Sequence, residues 1–243
     1  MIQILFSPSE GKNFTHTHTE MRLLGGLETR REILDAYNAI VLSENEELIK
    51  TLFGYKKFQE CTPYICDIFS APTTKAIQRY KGVAYEYLEY ETLTEEAKKY
   101  VDTHTIIFSN LFGAIRADDL IPVYKVKQGN AIGEIKPEEF YEKRFSYQLD
   151  LYLGDSEILD LRAGYYDKFY KPSRPFTTLK FLKNGKVVSH WAKAYRGMVL
   201  REMAQHDIQT LDEFIKMPLQ NLQIQEIRTQ KNKTEIIYTI MDT

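Results

Sequence analysis

The chain has 243 residues, of which 43% are hydrophobic and 13% aromatic, and a net charge of −2. This composition supplies enough apolar side chains for a sizeable core and excludes a disordered, collagen-like or disulfide-built molecule. Charges interrupt every hydrophobic run, so no segment reaches the roughly 20 apolar residues that cross a bilayer. The first apolar run is too short for a signal peptide. We expect a cytoplasmic protein with one domain, residues 1–243, and two reduced cysteines.

The N-terminal half predicts a buried strand followed by helical segments. Ile2–Phe6 is a short apolar run that stops at the turn-forming residues Ser7, Pro8 and Ser9. Apolar residues then recur at helical spacing over residues 27–53, with a break near Ser43. Two further helices are predicted, over residues 73–80 and 94–101.

The C-terminal half predicts more strands. Asn184-Gly185 lies between two strand-like runs, 177–182 and 186–191, and favours a tight hairpin because a type I′ turn needs positive φ at both central residues. Pro137–Leu153 predicts an amphipathic helix with proline in its first turn. The other predicted elements are strands at 105–109, 120–126, 158–161, 222–228 and 234–240, a loop at 110–119, a helix at 193–204 and a short helix after Thr210.

This order of elements has no regular alternation of strand and helix, and no repeat interrupts it. The hairpins require antiparallel pairing in at least part of the sheet. We therefore predict an α+β or irregular α/β fold: a single domain with a mixed sheet, antiparallel hairpins and flanking helices.

Charge is distributed unevenly along the chain. Residues 161–201 carry ten basic side chains and one acidic side chain, Asp167. A solvated lysine-rich surface normally intersperses glutamates, so this excess predicts a surface that binds phosphates. Aromatic residues between the cations, such as Tyr165 and Tyr166, can stack on bases or sugars, although core packing is their commoner role. The ten cations are Arg162, Lys168, Lys171, Arg174, Lys180, Lys183, Lys186, Lys193, Arg196 and Arg201.

The segment Ser7-Pro8-Ser9-Glu10-Gly11-Lys12 follows the first strand, where phosphate-binding loops occur. It is not a Walker A loop, because the first glycine is missing and Asn13 replaces the hydroxyl residue. A plain turn is one interpretation. A loop at a strand end can also place a hydroxyl group and a lysine in a cleft, which makes Ser7 and Lys12 candidate site residues.

Two weaker patterns leave alternatives open. His16, His18 and Glu20 alternate along the chain and could face one metal ion, although a solvated polar loop is the simpler interpretation. Residues 112–116 are similar to the turn of a helix-hairpin-helix, which holds DNA phosphates, but Gly113 also suits packing. No metal site, cofactor motif or catalytic triad is predicted. An enzyme is still possible, because catalytic groups need be adjacent only in space.

Several segments, taken in order and nearly end to end, resemble the YaaA family of bacterial proteins, which is associated with the peroxide stress response. The opening motif corresponds to residues 7–12, the second to 79–85 and the central block to 108–129. The chain departs from the family pattern at Val83-Ala84, Ala117-Asp118 and Ala163. The later matching positions are Asp160, Leu161, Arg162, Tyr166, Ser189, Ala192, Lys193, Arg196 and Gly197.

The resemblance implies an unusual α/β fold with a positively charged cleft and a helix-hairpin-helix-like element, DNA binding, and survival of hydrogen peroxide. Together with the charge excess, it predicts a DNA-binding protein that contacts mainly phosphates with little base-sequence preference. The predicted DNA-binding residues are Ser7, Lys12, Arg116, Arg162, Lys168, Lys180, Lys183, Lys186, Lys193 and Arg196.

Two alternatives accompany this prediction. One is an enzyme acting on a phosphorylated or nucleic-acid substrate in the same basic cleft, with Asp160 or Ser7 doing the chemistry. The other is iron handling through His16, His18 and carboxylates. A closed pocket formed by the motif residues favours the enzyme, whereas an open groove about 20 Å wide fits duplex DNA. The phosphate clamp of the enzyme would consist of Lys12, Arg162, Lys193 and Arg196.

Overall fold

The computed structural model describes residues 1–241, apart from the side chains of residues 189 and 190. Within these residues the helices are α1 (Arg31–Val41), α2 (Glu46–Phe53), α3 (Ala76–Arg79), α4 (Val83–Leu88), α5 (Glu95–His104), α6 (Pro137–Leu153), α7 (Ser189–Gln205) and α8 (Leu211–Lys216). The strands are β1 (Ile2–Phe6), β2 (Gly11–Lys12), β3 (Thr73–Lys75), β4 (Tyr80–Lys81), β5 (Thr105–Ser109), β6 (Gly113–Arg116), β7 (Leu120–Pro122), β8 (Glu157–Asp160), β9 (Phe176–Lys183), β10 (Lys186–Val187), β11 (Leu222–Gln230) and β12 (Lys233–Ile240).

Five parallel strands form the centre of the main sheet, in the order β12-β9-β8-β1-β5. The antiparallel strands β11 and β6 lie at the two edges, paired with β12 and β5, and the short β10 pairs antiparallel with the end of β9. Strands β1 and β5 are buried along their whole length, as their continuous apolar sequences predict for parallel strands covered on both faces. The predicted mixed sheet with antiparallel hairpins is confirmed, and the class is α/β rather than α+β.

The direction of the connections reverses between β1 and β8. From β1 the chain continues to β5 on one side, whereas from β8 it continues to β9 and β12 on the other. Two neighbouring parallel strands whose connections leave in opposite directions open a crevice outside their carboxyl ends, which is where α/β sheets bind ligands. The motif beginning at Ser7 follows β1, and the motif Asp160-Leu161-Arg162 ends β8. The topology therefore brings these two motifs to one edge of the sheet.

Most predicted elements are confirmed. The helix Pro137–Leu153 has the predicted bounds, and the helical region 27–53 breaks between α1 and α2. Asn184 and Gly185 have φ values of 51° and 73°, as the predicted hairpin turn requires. The second strand of that hairpin is only two residues long, because helix α7 already begins at Ser189. No helix in the described part of the chain is both long and apolar enough to cross a membrane.

Two local predictions are wrong. The predicted helix at 73–80 is a strand, β3, followed by the single turn α3, because residues 73–75 pair with β7. The predicted loop at 110–119 contains strand β6, antiparallel to β5, so the helix-hairpin-helix-like turn is absent at 112–116. Gly113 has a φ of +67°, and a Cβ there would overlap the ring of Tyr141. The packing role of this glycine is thus confirmed.

Candidate ligand pocket at the sheet switch point

A cavity of about 470 Å³ lies at the carboxyl ends of β1 and β8, at the point where the connections reverse. Its volume falls within the ~300–1,000 Å³ range of small-molecule sites. Segments far apart in the sequence form its walls, and each falls in one of the motifs that carry the family resemblance. The lining residues come from 6–10, 82–85, Gln128, the loop after β8 and the first turns of α7.

Ser7 ties the ends of two strands together at this pocket. Its Oγ accepts a hydrogen bond from the backbone N–H of Ala163 at 2.8 Å, and its carbonyl oxygen accepts one from the Tyr85 hydroxyl at 2.9 Å. The hydroxyl hydrogen of Ser7 is not used in either bond. Ser7 is therefore held in place by both neighbouring walls and can donate a hydrogen bond into the pocket.

Lys12 supports the loop from below and is not among the pocket-lining residues. Its Nζ donates to the carbonyl oxygens of Ser9 and Glu10 at 2.6 and 3.2 Å. The ammonium group lies 4.9 and 4.7 Å from the ring centroids of Tyr80 and Tyr124. Burial, together with a second buried lysine nearby, lowers the pKa of Lys12 well below its ordinary value. Lys12 thus shapes the loop from inside the protein.

Glu10 contributes a fixed negative charge to the pocket wall. Its Oε2 lies 3.1 Å from Nζ of the buried Lys125, and its Oε1 accepts a hydrogen bond from the backbone N–H of Gln128 at 3.3 Å. Burial acts to raise the pKa of Glu10, but the hydrogen bond and charge of Lys125 outweigh it, and the pKa is lowered. The Glu10 side chain is 50% exposed. A ligand in the pocket therefore meets an ionised carboxylate.

Lys193 and Arg196 bring positive charge to the same pocket. They are three residues apart in α7 and so share one face of the helix. Neither side chain has a hydrogen bond or ion pair with any residue that the structure describes. Burial lowers the pKa of Arg196, and the charge of Asp160 only partly opposes this effect. A half-buried guanidinium without a hydrogen-bonded partner is stabilised by a bound anion.

Arg162 is directed into the protein. Its side chain is 1% exposed and forms a two-point ion pair with Asp160, with distances of 2.9 Å from Nε to Oδ1 and 2.7 Å between Nη2 and Oδ2. Nη1 donates to the carbonyl oxygens of Tyr166 and Tyr170, both at 3.0 Å. Arg162 therefore holds the loop that forms one pocket wall, and no exposed guanidinium is left for the predicted phosphate contact.

Arg116 lies away from the pocket edge. It pairs with Ile106, three residues before the carboxyl end of β5, so the rise per residue of a strand places it roughly 10 Å from that end. Its Nη2 donates to Asp118 Oδ2 at 3.1 Å. The guanidinium of Arg116 is thus already engaged by a local carboxylate.

Four predicted lysines also lie outside the lining. Lys180 and Lys183 are three apart in β9, so their side chains point to opposite faces of the sheet. Lys186 follows the hairpin turn and is exposed, and Lys168 is exposed with its Nζ 5.2 Å from the Tyr165 ring centroid. A continuous basic cleft stays a prediction. Of the ten predicted residues, Ser7, Lys193 and Arg196 line the pocket, and Lys12 and Arg162 support its walls from inside.

Tyr85, Gln128 and Tyr166 are three of the pocket-lining residues that were not among the predicted site residues. Tyr85 and Gln128 line the pocket, and the Tyr166 hydroxyl donates toward the side-chain oxygens of Asn110 and Gln128 at 3.3 and 3.4 Å. All three residues lie within the family motifs, and that position was the feature of the sequence that could have identified them. Their side chains are common in cores and on surfaces alike, so residue type alone does not single them out.

Over the residues that the structure describes, no group of three or more histidine, cysteine, aspartate or glutamate side chains is arranged to hold a metal ion. His16 and His18 are both exposed. The Nδ1 of His18 contacts Thr17 Oγ1 at 2.8 Å. This segment is a polar surface loop with one isolated β-bridge, between His18 and Thr73, and it gives iron handling no support.

The fold and the pocket define an α/β protein with a small-molecule-sized cavity at the switch point of a mostly parallel sheet. The chain belongs to the YaaA family, because the family model described as "peroxide stress protein YaaA" matches residues 2–228. The predicted resemblance is confirmed, and every pocket-lining residue lies in the matched range.

Relatives match over most of their length. An uncharacterized protein of Campylobacter jejuni is 42% identical over 246 residues, covering 99% of this chain and all of that protein. A UPF0246 protein of Shewanella sp. strain MR-4 is 28% identical and covers 86% of this chain and 88% of its own. A UPF0246 protein of Streptomyces coelicolor is 27% identical and covers 82% of each.

The two thiols are poorly placed to sense peroxide. Burial raises the pKa of both Cys61 and Cys66, so the thiolate that reacts with oxidants is less populated than in a free cysteine. We expect iodoacetamide at pH 8 to label Cys66 in the native protein more slowly than in the urea-unfolded chain, and Cys66→Ser to leave peroxide survival unchanged. Faster labelling of the native protein would contradict this expectation.

Proposed function

We propose that this protein acts in the peroxide stress response by binding a small phosphate-bearing ligand in the switch-point pocket. The observation that carries the proposal is the pair of pocket cations, Lys193 and Arg196, which have no partner among the described residues. Motif residues from distant segments converge on one cavity of about 470 Å³, which suits a small molecule and is too narrow for a duplex about 20 Å wide. The geometry thus favours a small phosphate-bearing ligand in a closed pocket over a duplex in an open groove.

The chemistry of the wall supports an anion of this kind. A guanidinium offers a planar fork of donors that matches phosphate oxygens, and an ammonium one helical turn away adds a point charge. The hydroxyl of Ser7 supplies a further donor from the end of β1. The description of the family as a peroxide stress protein supports the physiological setting.

DNA binding is the second candidate, and a specific observation supports it. Lys168, Lys171 and Lys186 are exposed and form no ion pair with any residue in the described part of the chain. Such lysines can contact backbone phosphates of a duplex lying outside the pocket, with little dependence on base sequence.

Charge removal at two pairs of residues separates the candidates. We expect the Lys193→Ala/Arg196→Ala protein to lose peroxide protection in cells that depend on it, because the ligand loses its phosphate contacts, while duplex affinity hardly changes. The matched Lys168→Ala/Lys186→Ala protein removes the same charge outside the pocket and should still protect. Survival after a peroxide pulse and duplex affinity across a salt series are the measurements.

The opposite pattern would establish DNA binding instead. Comparable losses of duplex affinity in both pairs, a salt slope reduced by about 0.9 per lost contact, and loss of protection in both proteins would contradict the pocket proposal. Lys168 and Lys186 are exposed whereas Arg196 is half-buried, so thermal unfolding of both double variants checks that each is folded before the two are compared.

A further inference from the structure

The pocket has two poles of opposite charge. Lys193 and Arg196 form the positive pole, and Glu10 is the carboxylate among the lining residues. Inorganic phosphate needs only the positive pole. A carboxylate placed in the same cavity repels a second anionic group, so its presence restricts which part of a ligand lies beside it.

Glu10 is held so that it can accept hydrogen bonds from a ligand. Lys125 occupies one site on Oε2 and the Gln128 N–H occupies one site on Oε1. An ionised carboxylate has about four acceptor sites, so each oxygen of Glu10 keeps one that is unused by these partners. Lys125 lies beneath with its side chain only 6% exposed, which fixes the carboxylate from the protein side. The partner that suits Glu10 is a donor group such as an amino or ring N–H.

Apolar side chains form another part of the lining. Phe6, Val83 and Leu161 contribute to the walls together with the polar groups. Such a surface favours a ligand with a weakly polar body over a fully hydroxylated one. The ligand is thus expected to combine an anionic group, a donor-bearing edge and an apolar face.

We propose that the pocket binds a nucleoside monophosphate, with its phosphate on Lys193 and Arg196 and the N–H donors of its base on Glu10. This inference rests on the proposed function and adds the class of the ligand. A sugar phosphate satisfies the positive pole but lacks N–H donors and an apolar face, whereas a nucleotide has all three features.

Titration calorimetry on the 243-residue chain tests the inference, with AMP, GMP, CMP and UMP as nucleotide probes and ribose 5-phosphate as the probe without a base. We expect at least one nucleotide to bind tenfold or more tightly than ribose 5-phosphate. Arg196→Ala should weaken both kinds of probe tenfold or more. Glu10→Gln should weaken the preferred nucleotide tenfold or more and ribose 5-phosphate by less than twofold, because only a nucleotide loses hydrogen bonds to the ionised carboxylate.

Glu134→Gln is the matched control, since Glu134 is exposed, lies outside the pocket lining and loses the same charge. It should bind all probes as the parent does. If ribose 5-phosphate binds as tightly as every nucleotide, or if Glu10→Gln weakens both probes equally, the nucleotide inference is overturned while the phosphate pocket stands. If no phosphate probe binds, and Arg196→Ala therefore changes nothing, the proposed function fails as well.

Discussion

Replacing Arg162 by alanine is expected to destabilise the protein by about 3–5 kcal/mol, because the substitution leaves the buried carboxylate of Asp160 without its partner. The Asp160 side chain is only 6% exposed, and the second carboxylate near Arg162, on Asp167, cannot compensate a negative charge. The carbonyl oxygens of Tyr166 and Tyr170 lose a donor at the same time. Urea unfolding followed by circular dichroism measures the change.

The double variant Asp160→Asn/Arg162→Met is the control for this prediction. It removes both charges and keeps groups of similar volume, so most of the lost stability should return. An Arg162→Ala protein as stable as its parent would show that the ion pair contributes nothing to the fold. An accompanying loss of DNA affinity in that stable protein would restore Arg162 to the phosphate-binding set.

The sequence predicted those helices and turns that depend mainly on residues close together in the chain. Asn184-Gly185 favours its own turn, and the proline in the first turn and the apolar spacing of Pro137–Leu153 predict its helix from local sequence. The sequence did not predict that β1 lies between β5 and β8. In that arrangement Ile4 pairs with Thr105 on one side and with Leu159 on the other. Such pairings join residues more than 100 positions apart and leave no periodic trace in the sequence. The switch point therefore became visible only in the structure.

The site prediction did not show which charged side chains point into the pocket and which point into the protein. Arg162 and Arg196 are both basic residues of one segment, yet only Arg196 lines the pocket. Asp160 lies two residues before Arg162, on the same face of an extended chain, and that spacing was a usable signal for a local ion pair. No acidic residue lies near Arg196 in the sequence, so its unpaired state was consistent with the pattern.

Some of the basic side chains in residues 161–201 form hydrogen bonds and ion pairs within the protein. Arg174 donates to the carbonyl oxygens of Leu153, the last residue of α6, and Ser156 at 3.1 and 2.7 Å. The last carbonyl groups of a helix lack intrahelical partners. Arg201 pairs with Glu89 at 3.4 Å. A count of charges along the chain includes such cations, whereas a ligand meets only those that reach the surface or the pocket.

Gly197→Ala is expected to destabilise the protein by about 2 kcal/mol and to abolish ligand binding in the pocket. Within a helix this substitution normally stabilises by up to about 1 kcal/mol. Here a Cβ would overlap the carbonyl oxygen of Ala84 and lie 2.8 Å from its carbonyl carbon. These are backbone atoms of α4, so the helix itself must move, at a cost of up to about 3 kcal/mol. Thermal unfolding and calorimetry with a phosphate probe measure the two effects.

Gly164→Ala is the matched substitution, because Gly164 also belongs to the region beside the pocket but nothing lies within 4 Å of a Cβ there. It should leave stability within about 0.5 kcal/mol of the parent. The comparison tests whether the contact between α4 and α7 fixes the distance between two walls of the pocket. Val83 and Ala84 line one of these walls, and Lys193 and Arg196 line the other. A Gly197→Ala protein that is destabilised but binds the probe normally would show that ligand binding does not depend on the contact between α4 and α7. One that is as stable as the Gly164→Ala protein would show that the two helices are not in close contact.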